Sequence, residues 1–172
     1  SHPLKKSLHD PVCELRDPVH GFVKLSEAER RIINCPTYQR LRDIRQLAMG
    51  HMVNPGANHT RFEHSIGCLH LASLVFDAVE SRQASGQCPS FDEAFNASAS
   101  AVQRGKKLLR LAALLHDLGH GPFSHTGESL MPEEEIGGRR RQVKHEDMTA
   151  RLIRETEIAR VIDQYFGPDN IS

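Results

Sequence analysis

One stretch near the middle of the chain constrains the fold most, because an apolar segment there ends in imidazoles and a carboxylate. Leucines recur at helical spacing between Leu108 and Leu118, which predicts a helix from about Gln103 to Leu118. Since this segment is apolar nearly all round, we expect the helix to be buried. His116 and Asp117 lie at its C-terminal end, and buried carboxylates are either paired or bind a metal. We therefore expect the functional site at this end of the helix, with a hydrogen-bonded His–Asp pair as the alternative to a metal site.

More histidines accompany this pair than a structural role requires. His120 follows one turn later, His125 comes after the turn at Gly121-Pro122, and His64 and His145 stand near the starts of two other predicted helices. Imidazole and carboxylate ligands suit iron, manganese, zinc or magnesium-class ions better than thiophilic ones. A bound ion lowers the pKa of water, and further imidazoles can protonate a leaving oxygen. The pattern indicates metal-assisted hydrolysis of a phosphate ester, although each histidine taken singly is more often structural.

Composition excludes several other classes of protein. The 172 residues suffice for one domain with its own core, and 22 basic residues balance 22 acidic ones, so no overall charge favours nucleic acid or membrane. The four cysteines form no C-x-x-C pair, which excludes a zinc ribbon, and we expect reduced thiols in a cytoplasmic protein. The sequence shows no apolar run of membrane-spanning length and no signal peptide, so no membrane partner is expected.

The remaining periodicity predicts a mainly α fold. Residues 1–16 are interpreted as an extended arm, and residues 17–25 as a short strand or hairpin. Residues 81–105 and 126–143 are polar and are predicted to be mainly surface loops. The first predicted helix is opened by a Ser26–Glu29 capping box and stops before Pro36, and the second is capped by Thr37. A third helix is predicted from His64 to Val79, and a short one near Phe91–Phe95. The last predicted helix follows Lys144–Asp147 and ends at Gly167-Pro168.

Four blocks of sequence resemble the HD superfamily, and more narrowly its deoxynucleoside triphosphate triphosphohydrolases. They are Asp-Pro-Val-His-Gly at 17–21, Gln-Arg-Leu-Arg at 39–42, Pro-Gly-Ala-Asn-His-Thr-Arg-Phe-Glu-His-Ser at 55–65, and His-Asp-Leu-Gly-His-Gly-Pro-Phe-Ser-His at 116–125. The resemblance covers roughly residues 17–153. It implies an HD-domain helical bundle over residues 17–172, with at most a short β-hairpin near the N-terminus.

The resemblance also implies an activity and a metal site. The reaction would cleave a dNTP, by attack at the α-phosphorus, to a deoxynucleoside and tripolyphosphate. His64, His116 and Asp117 would bind a divalent ion, with Mn, Fe, Mg and Zn not distinguished. A fourth ligand, an aspartate on a later helix, is not identified before Ser172. Either the chain is an N-terminal portion that lacks its C-terminal helices, or metal binding is incomplete.

The remaining site residues follow from the same resemblance. His120, His125 and His145 would line the reaction site, with His145 or His120 favoured as proton donor. Arg61 and Gln46 would hold the phosphates or sugar of the substrate. The last pair, Gln39 and Arg42, matches positions that bind an activating nucleotide in some family members, whereas Asn34 stands where some carry an aspartate.

Two further hypotheses are kept open. One is an HD phosphohydrolase that acts on a nucleoside monophosphate, a cyclic nucleotide or an oligonucleotide. The other is a catalytically silent module that binds nucleotide, nucleic acid or a protein. Single-stranded nucleic acid and a second copy of the chain are therefore retained as partners beside the nucleotide.

Overall fold

Helices form most of residues 11–167. These are the residues that a computed structural model of the protein describes. This helical content confirms the predicted mainly α class. The first ten residues of the predicted arm lie outside the described part. No helix within residues 11–167 is long and apolar enough to cross a membrane. The helices are α1 (Glu27–Ile33), α2 (Pro36–Gln39), α3 (Arg61–Ala84), α4 (Phe91–Phe95), α5 (Ala99–Leu115), α6 (Ser124–Glu128), α7 (His145–Glu155) and α8 (Glu157–Phe166).

The chain's first described element is a β-hairpin of β1 (Pro11–Asp17) and β2 (Gly21–Ser26). The predicted hairpin is confirmed, but the assignment of residues 11–16 to an irregular arm is wrong, because they pair with β2. Asp17 fixes the turn, since its Oδ1 accepts hydrogen bonds from the amides of Val19 (2.9 Å) and His20 (2.8 Å). Gly21 follows with a φ of 77°, which favours glycine.

The predicted capping box at the start of α1 is confirmed, but the helix expected after Thr37 is interrupted. A short α2 passes into a 3₁₀ turn over Arg40–Asp43, and the chain then extends. The Ile44 carbonyl accepts from the Arg61 amide at 2.8 Å, and the Gln46 amide donates to the His59 carbonyl at 3.1 Å. Pairing with the segment before α3 replaces the helix here and places Gln46 opposite His59.

The core lies where α3 packs against α5. Ile66 and Leu69 of α3 and Leu114 of α5 are fully buried, as is Leu118 in the turn after α5. The buried central helix is therefore confirmed, although it spans 99–115 and not 103–118. The loop predicted for residues 81–105 is wrong at both ends, because α3 extends to Ala84 and α5 begins at Ala99. The short helix near Phe91–Phe95 is confirmed as α4.

A second hairpin was not predicted. Residues 133–136 (β3) and 139–142 (β4) pair antiparallel within the segment interpreted as a loop, so the expectation of at most one hairpin is wrong. Gly137 and Gly138 have positive φ and make the turn. Two ion pairs join the hairpin to α7, Arg141 with Asp147 (2.7 Å) and Arg151 with Glu134.

The last predicted helix is divided into α7 and α8. Thr156 has an extended backbone and caps α8, because its Oγ1 accepts from the Ile158 amide at 3.4 Å. The break turns α8 toward α1, where Arg31 donates to Gln164 and to Tyr165 at 2.9 Å each. The predicted end at Gly167 is confirmed.

Candidate active site

Asp117 is the centre around which the predicted site residues gather. As a whole residue it is only 6% exposed. The His64 Nε2 lies 3.5 Å from Asp117 Oδ2, and the Nε2 atoms of His116 and His120 lie 3.4 and 3.5 Å from Oδ1. The structure thus brings together three elements of the chain: the start of α3, the end of α5 and the turn after it.

Arg61 is the ion-pair partner of this carboxylate. Its Nη1 lies 2.5 Å from Asp117 Oδ2, its Nη2 donates to Ser124 Oγ at 2.8 Å, and its Nε is buried without a partner. Burial raises the pKa of Asp117, but the charges of His116 and Arg61 more than offset it, so the net shift is downward. Asp117 is consequently a carboxylate at neutral pH.

Helix termini position the surrounding side chains. Thr60 caps α3 and forms a capping box with Glu63, which places Arg61 and His64 on the first helical turn. The His116 Nδ1 lies 2.9 Å from the carbonyl of Ala113 and can donate a proton to it. That bond leaves Nε2, on the Asp117 side, with its lone pair, which is the usual arrangement of a metal-binding histidine. The residues predicted as ligands therefore fit a divalent ion chemically.

The other three predicted histidines form a second cluster beside the first. The rings of His120 and His145 stack with centroids 3.7 Å apart, and His125 meets each of them edge-on at 5.0 Å. Glu128 Oε1 accepts from the Nδ1 atoms of both His145 (2.5 Å) and His125 (3.1 Å). Burial, and then the charge of Arg61, lowers the pKa of His120 to about 4, so this imidazole is neutral at pH 7.

Close backbone packing brings His145 to this position. The Gly119 amide donates to Thr149 Oγ1 of α7 at 2.8 Å. A Cβ atom on Gly119 would collide with the carbonyl oxygen of His145 and the amide nitrogen of Thr149. Only glycine lets the turn after α5 lie directly against the first turns of α7.

Two clefts are lined by histidines of these clusters. One, of about 350 Å³, is lined by His120, Ser124, Glu128 and His145, with apolar side chains such as Met131 around them. The other, of about 420 Å³, is lined by a different set that includes His64 and Cys68 together with Asp17, His20 and His59. The first cleft therefore gives access to His120 and His145, and the second gives access to His64 and Cys68.

The remaining predicted residues lie apart from this cluster or at its edge. Gln46 has a buried Oε1 without a hydrogen-bond partner. Gln39 and Arg42 contact one another through a 2.8 Å hydrogen bond, and the Arg42 guanidinium lies 3.6 Å from the centre of the Phe62 ring.

Sequence reasoning missed two side chains that touch the site. Glu128 could have been found from its spacing, because it lies three residues after His125 on a short helix. Cys68 lies four residues after His64 on α3, and its Sγ is 3.5 Å from the His64 Nε2. The four-residue His–Cys spacing on one helix is the signal that identifies it.

The same region is recognisable in known proteins. Residues 61–167 match the HD domain family. Over 155 residues the chain is 35% identical to the deoxynucleoside triphosphate triphosphohydrolase SAMHD1 homolog of Dictyostelium discoideum. This alignment covers 90% of this chain and 27% of the Dictyostelium protein. The chain is 37% identical over 162 residues to the deoxynucleoside triphosphate triphosphohydrolase SAMHD1 of Homo sapiens, covering 91% of this chain and 23% of the human protein.

A solved structure agrees in fold. The crystal structure of a hypothetical protein from Aquifex aeolicus superposes on this chain with a TM-score of 0.65 at 38% sequence identity. The superposition covers 92% of this chain and 35% of the Aquifex chain. The chain thus spans about a quarter of the length of the two curated relatives and about a third of that solved chain. Both the matched residues and these identities support the same conclusion, and the chain belongs to the HD domain family.

Proposed function

We propose that this chain is the catalytic part of a metal-dependent phosphohydrolase that cleaves dNTPs to deoxynucleoside and tripolyphosphate. The observation that carries the proposal is the convergence of Arg61, His64, His116 and His120 on the single buried carboxylate of Asp117. The Dictyostelium and human relatives are named as deoxynucleoside triphosphate triphosphohydrolases, which supports the substrate class. On this proposal residues 17–172 are the N-terminal portion of a larger HD domain.

The ion would be held by His64, His116 and Asp117. When bound, it would supply Lewis-acid activation of water near neutral pH. Arg61 donates to Oδ2 of Asp117, whereas Oδ1 faces the Nε2 atoms of His116 and His120 at 3.4 and 3.5 Å. The guanidinium also holds the carboxylate in its ionised form, which metal binding requires.

The second histidine cluster would handle protons and phosphate oxygens. His120 is neutral at pH 7 and can accept a proton, because burial disfavours its charged form. His145 Nδ1 donates to the Glu128 carboxylate, which orients the ring, and a doubly protonated ring can pass its Nε2 proton to the leaving oxygen. His125 shares the same carboxylate and would orient a phosphate oxygen. Gln46 stays a proposed contact to the substrate, and Gln39 with Arg42 a proposed regulatory nucleotide site.

The test is to supply the protein with Mn²⁺, offer all four dNTPs, and identify the products by ion chromatography. Tripolyphosphate with deoxynucleoside supports the proposal. Release of monophosphate or pyrophosphate would instead indicate an HD phosphohydrolase of another specificity. Nucleotide binding without turnover would indicate a silent module.

A pair of variants links turnover to the site. Asp117→Asn is expected to lose both bound metal and turnover, because it removes the charge of a proposed ligand. Asp163→Asn changes an exposed aspartate of α8 and serves as the matched control. Unchanged metal content in Asp117→Asn would contradict the proposed ligand set.

A further inference from the structure

The candidate metal site contains a sulfur atom that the HD motif does not account for. Cys68 lies one helical turn after His64 on α3, so both side chains project from the same face of the helix. Its Sγ lies 3.5 Å from His64 Nε2. Ligand atoms of His64, Cys68 and His116 all lie within 4.8 Å of one another, a spacing that one ion can bridge.

The surroundings of Cys68 differ from those of a cysteine used for packing. Its side chain is half-buried and lines the 420 Å³ cleft together with His64, so an ion can reach it. Cys35, by contrast, is buried and bonds to the carbonyl of Arg31 at 3.3 Å. Within residues 11–167, Cys68 is the only cysteine whose sulfur belongs to a group of side chains able to hold an ion.

The imidazoles beside Cys68 are also placed to bind an ion. The His116 Nδ1 is engaged by the Ala113 carbonyl, which leaves Nε2 as an acceptor. His64 belongs to the same group, and its Nε2 lies 3.5 Å from Asp117 Oδ2. Two imidazoles therefore lie beside one sulfur and one carboxylate.

The balance of charge gives the sulfur a function. Arg61 already neutralises the charge of Asp117, so a divalent ion held only by Asp117 and two imidazoles would keep its two positive charges uncompensated. A thiol that binds a metal loses its proton, and the resulting thiolate would compensate one of those charges. Sulfur also makes the ligand set softer, which favours zinc-class ions over magnesium.

We propose that Cys68 is a thiolate ligand of the ion held by His64, His116 and Asp117, so that this site prefers Zn²⁺ or Co²⁺ over Mg²⁺. This rests on the metal site of the proposed function but adds a ligand and a selectivity to it. It also changes the interpretation of the sequence, which predicted a site with nitrogen and oxygen ligands only.

The experiment is a titration of the metal-free protein with Co²⁺, followed by absorption spectroscopy. A thiolate bound to cobalt gives a sulfur-to-metal charge-transfer band in the near ultraviolet, whereas nitrogen and oxygen ligands give only weak visible bands. We expect both kinds of band in the wild-type protein. Cys68→Ser should lose the charge-transfer band and keep the visible bands, and Cys88→Ser, which alters another half-buried cysteine, should keep both.

Competition with Zn²⁺ supplies a second measurement. Because even outer-shell partners of a metal site contribute roughly 10–100-fold to affinity, Cys68→Ser should weaken Zn²⁺ binding by at least about tenfold. Its affinity for Mg²⁺ should change far less, since magnesium binds sulfur poorly. Circular dichroism of the variant confirms that folding is retained.

The outcomes separate the two proposals. Visible cobalt bands without a charge-transfer band in the wild-type protein would overturn the role of Cys68 and leave the three-ligand site intact. A charge-transfer band that persists in Cys68→Ser would also overturn it. If equilibrium dialysis shows no Co²⁺ bound at all, the metal site of the proposed function fails, and the role of Cys68 fails with it.

Discussion

Arg61 Nη1 lies 2.5 Å from Asp117 Oδ2, and the two side chains are 2% and 8% exposed. Removing one partner of a buried ion pair costs about 3–5 kcal/mol, because the other charge stays buried without compensation. We expect Arg61→Met and Asp117→Asn each to lower the free energy of unfolding by this order. The free energy of unfolding should fall clearly less in the double variant than the sum of the two single losses. A double-mutant cycle by urea denaturation of metal-free protein measures this difference. Additive losses would show that the two charges do not stabilise one another.

Acidification is expected to destabilise the protein through His120. Burial lowers the pKa of His120 to about 4, whereas an unfolded histidine titrates near 6.5, so the unfolded state binds more protons between these values. The contribution of neutral His120 to the free energy of unfolding is therefore fully present above pH 6.5 and is lost as the pH falls toward 4. At pH 5 the loss from this one group is about 2 kcal/mol at most.

Denaturation curves of metal-free protein between pH 7 and pH 5 measure this loss. His120→Asn, which cannot titrate, should flatten the pH dependence, although His64 adds a slope of the same sign because its pKa is also lowered. An equally steep dependence in the His120→Asn variant would contradict the assignment.

Gly119 should tolerate no side chain. Its Cβ would collide with backbone atoms of His145 and Thr149, which cannot move without displacing α7. Gly119→Ala is expected to lower the free energy of unfolding by about 3 kcal/mol, at the upper end of overpacking effects. Gly121→Ala, two residues later, is the matched control, because nothing lies within 4 Å of its Cβ position. Thermal unfolding distinguishes the two variants.

Glu128 is expected to matter for turnover rather than for metal binding. It holds the Nδ1 atoms of His125 and His145, so Glu128→Gln should reduce kcat toward dNTPs by about 100-fold, the lower range for acid–base groups. Metal content should not change. Glu146→Gln is the control, because Glu146 also lies near His145 (3.3 Å) but is 65% exposed, and exposed pairs contribute little. Equal effects of both variants would argue against a specific function of Glu128.

The sequence predicted well those elements that are formed by residues close together in the chain. The leucine spacing identified the buried helix because Leu114 and Leu118 are fully buried. The capping box at Ser26 needs only side chains three residues apart. On α3 the periodicity predicted the helix, but its apolar residues Leu74 and Val75 are 50% and 64% exposed, because the described elements cover only part of this helix.

Nonlocal pairing explains what the sequence analysis did not predict. The glutamate and arginine runs at 133–135 and 139–141 resemble a solvated loop, yet they pair across a two-glycine turn to form β3 and β4. In the site, the motif identified the histidines and Asp117. It did not reveal that Arg61 pairs with Asp117 itself, because 56 residues separate the two in the chain.

The contact between α1 and α8 has a consequence for the order in which the protein folds. Arg31 and Gln164 are 133 residues apart, so α1 leaves the ribosome long before the helix that covers it. The ligand positions of His64 and His116 depend on α3 and α5, which are synthesised earlier and pack against each other. We therefore expect the residues of the metal site to meet first during synthesis, while the apolar face of α1 stays exposed to chaperones until α8 arrives.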